Sequence, residues 1–147
     1  MDDLNRLLAE QACAQLIIGY ARLLDAGDWD AVAQLYIEDG RMSRPTAPDD
    51  FTQGRAAILA GFKARPPRAS RHICANISVE VLGAAEARAV SQILLFTGEA
   101  SAEGDLPQQS ALPPMVGTYQ DRLVKTAEGW RFAERRGALD FTPAKQG

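Results

Sequence analysis

The chain has 147 residues, 46% hydrophobic and 24% charged, an ordinary globular composition at a length that suits one domain over 1–147. With 16 basic and 19 acidic residues the formal net charge is −3, which argues against a nucleic-acid partner, since such proteins gather a basic excess on one face. No stretch approaches the roughly 20 apolar residues of a membrane span, so no membrane partner is expected either.

From Leu4 to Leu24 apolar residues recur at helical spacing through Leu7, Leu8, Ala12, Leu16, Tyr20 and Leu23, which predicts one long amphipathic helix. Gly27 is placed to end it near Ala26 with a left-handed cap. Asp28 can then cap a short second helix carrying Trp29, Val32, Leu35 and Tyr36. Asp39-Gly40 turns the chain into a short strand, Arg44-Pro45 to Asp50 reads as loop, and Gly54 to Phe62 as a third short helix closed by Pro66-Pro67. Arg65, Arg68 and Arg71, interrupted by those prolines and without interleaved aromatics, read as a solvated loop edge.

The period then changes to two. Over Arg71 to Leu82, Ile73, Ala75, Ile77, Val79 and Val81 share one face, with His72, Cys74, Asn76 and Ser78 on the other. A turn at Gly83-Ala84 leads to a strand over Ala87 to Thr97, followed by a Gly, Pro and Ser loop from Gly98 to Pro114. Strands over Val116 to Lys125 and Trp130 to Phe141 close the pattern across a tight turn at Glu128-Gly129. Helices followed by strands predict an α+β order and not alternating βαβ units. Four long strands make a curled meander whose inner face only the helices can cover, and a bent sheet parts from a straight helix at one end, where a pocket opens.

His72 is the lone histidine, and an imidazole placed in a pocket is a natural acid or base near neutral pH. Period alone does not say which strand face looks inward, so a half-exposed strand histidine is the plain alternative. Tyr20, on the helix stripe, is either a core tyrosine bonded to a backbone carbonyl or a hydroxyl aimed at a substrate oxygen. Asp25 falls in the last helical turn, where the helix dipole disfavours a carboxylate; if it is partly buried its pKa should rise, and a solvated surface aspartate is the plain alternative. On the last strand only one of Arg135 and Arg136 can face inward, to hold a carboxylate or oxyanion or to pair with Asp25; a cross-strand salt bridge is the plain alternative.

One histidine and two separated cysteines, Cys13 and Cys74, supply no zinc set, and no glycine-rich phosphate loop is present, so neither metal nor cofactor is expected. The acidic start MDDLNRLLAEQ lacks the basic and apolar segments of a signal peptide, and the cysteines form no disulfide framework. A cytoplasmic protein with reduced thiols is the expectation, self-associated as a dimer or trimer to bury apolar surface the helices leave bare.

Three segments together resemble the SnoaL-like branch of the nuclear-transport-factor-2-like superfamily: YARLLDAGDWDAVAQLYIEDG (Tyr20 to Gly40), RHICANISVEVLG (Arg71 to Gly83) and GTYQDRLVKTAEGWRFAERR (Gly117 to Arg136). The resemblance implies a cone-shaped, curved mixed or antiparallel sheet wrapped around the long N-terminal helix and two short ones, enclosing one apolar pocket. Within the branch the chain looks most like the dehydratases. Tyr20 and Asp25 keep the Tyr-x4-Asp spacing of bile-acid 7α-dehydratases, His72 matches the family's strand histidine, and Arg135 or Arg136 its late arginine. The second histidine of scytalone dehydratases has no counterpart over Ala87 to Thr97, and the base of ketosteroid isomerases, an Asp before Pro, falls on Arg44 before Pro45. The implied activity is a cofactor-independent dehydratase or hydratase for a small cyclic or polycyclic hydroxy-carbonyl compound. His72, Asp25 and Tyr20 would be its catalytic residues, and Arg135, Asn76 and Trp29 its substrate-binding residues. The alternatives are a non-catalytic subunit resembling the β-subunits of aromatic ring-hydroxylating dioxygenases, and a small-molecule binder without turnover.

Overall fold

A computed structural model describes residues 1–99, 106–110 and 113–142. The element order is α1 (Asp3–Ala26), α2 (Trp29–Gln34), β1 (Tyr36–Arg44), β2 (Ala47–Gln53), α3 (Arg55–Lys63), β3 (Arg68–Gly83), β4 (Glu86–Glu99), β5 (Met115–Thr126) and β6 (Gly129–Phe141). The strands form one mixed sheet in the order β2-β1-β6-β5-β4-β3, an α+β fold curved around α1. Part of the expected Gly98 to Pro114 loop lies outside the described residues; its first two residues, Gly98 and Glu99, extend β4.

Helix α1 starts where the Asp2 side chain accepts from the Asn5 N–H and stops where Gly27 turns left-handed, φ 69°, with its N–H on the carbonyls of Leu23 and Leu24. The buried stripe is Ala9, Cys13, Ile17, Tyr20, Ala21 and Leu24, packed across the inner face of β3 to β6. The expected stripe began too early: Leu4, Leu7 and Leu8 are exposed, because the packed stretch of the helix starts only at Ala9.

Two local expectations yield to the sheet. Tyr36 does not continue α2; it opens β1, which runs straight through Asp39-Gly40 and returns as β2 over the stretch that reads as loop. The reason is tertiary: β1 lies parallel against β6, a pairing that begins where Phe132 N–H donates to the Leu35 carbonyl at 2.8 Å. The register slips between Tyr36 and Arg41, so Asp39-Gly40 marks an irregularity inside a strand. A Cβ at Gly40 would stand 3.0 Å from the Ile37 carbonyl oxygen and 3.2 Å from that of Phe132, so no larger residue fits unstrained.

The strict alternation expected for β3 is broken at its middle. Asn76 adopts φ 51°, and the pairing with β4 skips between Ala75 and Ser78. Before this bulge His72 and Cys74 point inward while Ile73 and Ala75 are exposed; after it Ile77, Val79 and Val81 turn to the core. One residue out of register exchanges the two faces.

Candidate functional site

The bulge and the helix end together build the site. Because His72 precedes the bulge, its side chain enters the interior, and α1, lying across β3, delivers Asp25 to it. Asp25 accepts from His72 Nδ1 at 2.6 Å, from the His72 backbone N–H at 2.9 and 3.1 Å, and from Ser70 Oγ at 2.9 Å. The two side chains are only 8% (His72) and 16% (Asp25) exposed. Burial works to raise the Asp25 pKa, yet the bonds from the His72 ring, the His72 backbone and Ser70 outweigh it and hold the carboxyl below its ordinary value. The expectation of a raised pKa is thus reversed: Asp25 is an ionised acceptor. A carboxylate can only accept, so Nδ1 carries the proton in this bond, and in the neutral imidazole Nε2 is the basic nitrogen. Nε2 has no protein partner among the described residues, and His72 lines a cavity of about 340 Å³.

That cavity lies between α1, α3 and the sheet, with apolar walls from Phe62, Ile93, Leu95 and Leu139. Tyr20 and Tyr119 line it alongside His72. The Tyr20 hydroxyl is 2.9 Å from that of Tyr36, both rings buried. Burial raises the Tyr20 pKa, and nearby Arg135 opposes the rise, so the phenol stays protonated. Asp25 stands behind His72, in an adjoining recess of about 130 Å³ that Trp29 also lines. Trp29 stacks on Phe62 with ring centroids 5.3 Å apart, so it borders the main cavity only through that ring.

Two expected substrate contacts are placed elsewhere. Asn76 is exposed and donates to Gln92, because the bulge turns it outward. Arg135 does face inward while Arg136 faces out to Asp49 at 3.1 Å, but Arg135 lines no part of the cavity. It lies beneath the cavity floor, 3.0 Å from Asp121 rather than beside Asp25, with its guanidinium 3.9 Å from the Tyr119 ring centroid and 4.5 Å from that of Tyr20. Burial works against its charge, and the Asp121 carboxylate together with Tyr119, Tyr20 and Tyr36 outweighs this, holding its pKa above the ordinary value.

Arg65 corrects the reading of its segment as a solvated edge. It is half-buried, lies over the Phe62 ring at 4.3 Å, and lines the cavity together with Arg44 and Arg68. Tyr36 and Asp121 also escaped the sequence reading. Tyr36 was hidden by its helical neighbourhood; Asp121 had a signal, an acid in the inward row Gly117, Tyr119, Asp121 and Leu123.

The profile of the SnoaL-like domain matches residues 5–136, and the chain belongs to that family. No curated protein matches it. Among solved structures, a candidate scytalone dehydratase from Novosphingobium aromaticivorans is similar at 23% identity and TM-score 0.74, over 97% of this chain and 91% of that one. An NTF2-like protein with a cystatin-like fold from the same organism aligns at 26% identity and TM-score 0.76, over 96% and 88%. A type 2 hexachlorocyclohexane dehydrochlorinase aligns at 18% identity and TM-score 0.79, over 98% and 94%. These likenesses bear out the superfamily and the fold expected from sequence. Among the described residues, no helix is long and apolar enough to cross a membrane.

Proposed function

We propose that the protein is a cofactor-independent lyase that dehydrates, or in reverse hydrates, a small cyclic hydroxy-carbonyl compound. The observation that carries this is the Asp25–His72 pair, in which an ionised carboxylate holds Nδ1 of a histidine that lines the same cavity as Tyr20. In the forward direction Nε2 takes a proton from the carbon beside the substrate carbonyl. Asp25 stabilises the imidazolium that forms. The Tyr20 hydroxyl donates to the carbonyl oxygen as negative charge gathers there, and Tyr36 donates to Tyr20 in turn. The imidazolium then returns its proton to the departing hydroxyl: C–H and C–O bonds break, a C=C bond forms and water leaves. Arg135 acts at one remove, holding the Tyr20 and Tyr119 rings.

The two candidate dehydratase and dehydrochlorinase neighbours support elimination chemistry on this fold. A non-catalytic subunit or a simple carrier would leave the Asp25–His72 pair without a task. The reading includes a cytoplasmic homo-oligomer acting on a free small molecule. The test is enone formation, followed by ultraviolet absorbance, from a panel of cyclic β-hydroxy-ketones with wild type and His72→Ala. Turnover by wild type that falls at least a hundredfold in the variant is expected; equal rates in both end the proposal.

A further inference from the structure

The cavity has a charge imbalance that the proposed proton transfers do not use. Arg44, Arg65 and Arg68 all line it, and no Asp or Glu does so among the described residues. Among the described residues none of the three makes an ion pair either. Arg44 and Arg68 are exposed at the rim, whereas Arg65 reaches further in, flat over Phe62. Its Nε is buried without a hydrogen-bond partner among the described residues, a costly state for a cationic donor. Burial, then the like charges of Arg44 and Arg68, pull the Arg65 pKa down to about 10, the direction expected of a cation waiting for an anion.

We infer that the substrate is an organic acid, whose carboxylate is held by Arg65 with Arg44 and Arg68 while its apolar body extends toward His72 and Tyr20. The surroundings favour a carboxylate over a phosphate. Phosphate sites draw on backbone N–H groups and helix N-termini, but Pro45, Pro66 and Pro67 offer no N–H, and α3 presents its C-terminal end to this loop. What remains is planar guanidinium, whose fork matches a carboxylate. The inference deepens the lyase reading, on which it rests for the orientation of the bound acid, but not for the binding itself.

The experiment is calorimetric titration at pH 7 with 2-naphthoate, its methyl ester and 2-naphthyl phosphate. Naphthoate is expected to bind about ten- to a hundredfold more tightly than the ester. Arg65→Met is expected to bring the ratio of acid to ester affinity to about one. The double variant Arg44→Gln/Arg68→Gln, changed only at exposed positions, weakens naphthoate several-fold and keeps the test decisive should Arg65→Met fail to fold. Equal affinity for acid and ester, a preference that survives these substitutions, tighter binding of the phosphate, or no binding of any probe overturns the inference. Because the readout is binding, a wild type without turnover would remove the lyase reading and leave the acid preference standing.

Discussion

Replacing Asp25 by Asn tests the site at its hinge. The amide keeps one oxygen for the His72 backbone N–H and Ser70 Oγ, but it cannot serve the ring nitrogen at 2.6 Å as a charged acceptor. One charge-assisted bond is lost, about 1.5–3 kcal/mol, with the lower end expected because the carboxylate keeps 16% of its side-chain surface in water. Activity suffers more. Without the carboxylate the imidazole is free to carry its proton on Nε2, which removes the base, and the corresponding change in Ser-His-Asp triads costs ~10⁴ in rate. A fall of about 10²–10⁴ in kcat is therefore expected, with a smaller change in KM. The pH dependence has a definite sign. The folded carboxyl titrates below its ordinary 3.8, so its stabilisation is fully present above that pH and is lost as pH falls through the lowered folded value. Urea unfolding of wild type and Asp25→Asn should then differ at about pH 5, with the gap closing as pH falls below 3.8. A variant as active and as stable as wild type at pH 7 would refute the reasoning.

Three further substitutions probe the surroundings. Tyr20→Phe leaves the buried Tyr36 hydroxyl without its partner and should cost about 1–3 kcal/mol in urea unfolding, with kcat reduced about ten- to a hundredfold. Asp121→Asn strands the fully buried Arg135 and should cost about 3–5 kcal/mol, whereas an Asp121→Leu/Arg135→Met pair should recover much of that loss. On the outer sheet face Ile73, Val90 and Phe96 are 51%, 45% and 36% exposed, so Ile73→Asp with Phe96→Asp should shift the protein toward monomer in light scattering after gel filtration. A wild type already monomeric at micromolar concentration would remove the self-association reading.

The long helix, its Gly27 stop and the four-strand meander were legible because each rests on a local rule: period 3.6, a left-handed cap, period two. The β1–β2 hairpin was not, since its polar, Pro-containing sequence becomes strand only by pairing with β6, a contact ninety residues away in the chain. Tyr20, Asp25 and His72 were legible as residue types at telling positions, chiefly through the family resemblance. Their relation was not: Asp25 accepts from the very backbone that carries His72, a distance no periodicity encodes. Asn76 misled for the same reason, since a strand read as uniform conceals the position at which its faces trade places.

That exchange at Asn76 divides the strand into two independent lengths. Upstream, the interior wall accepts polar groups and can vary with chemistry; downstream, Ile77, Val79 and Val81 anchor the helix and can vary only with volume. With the bulge in place one length can change without carrying the other with it, whereas loss of the bulge with every residue kept would put the imidazole and the helix anchor on opposite faces.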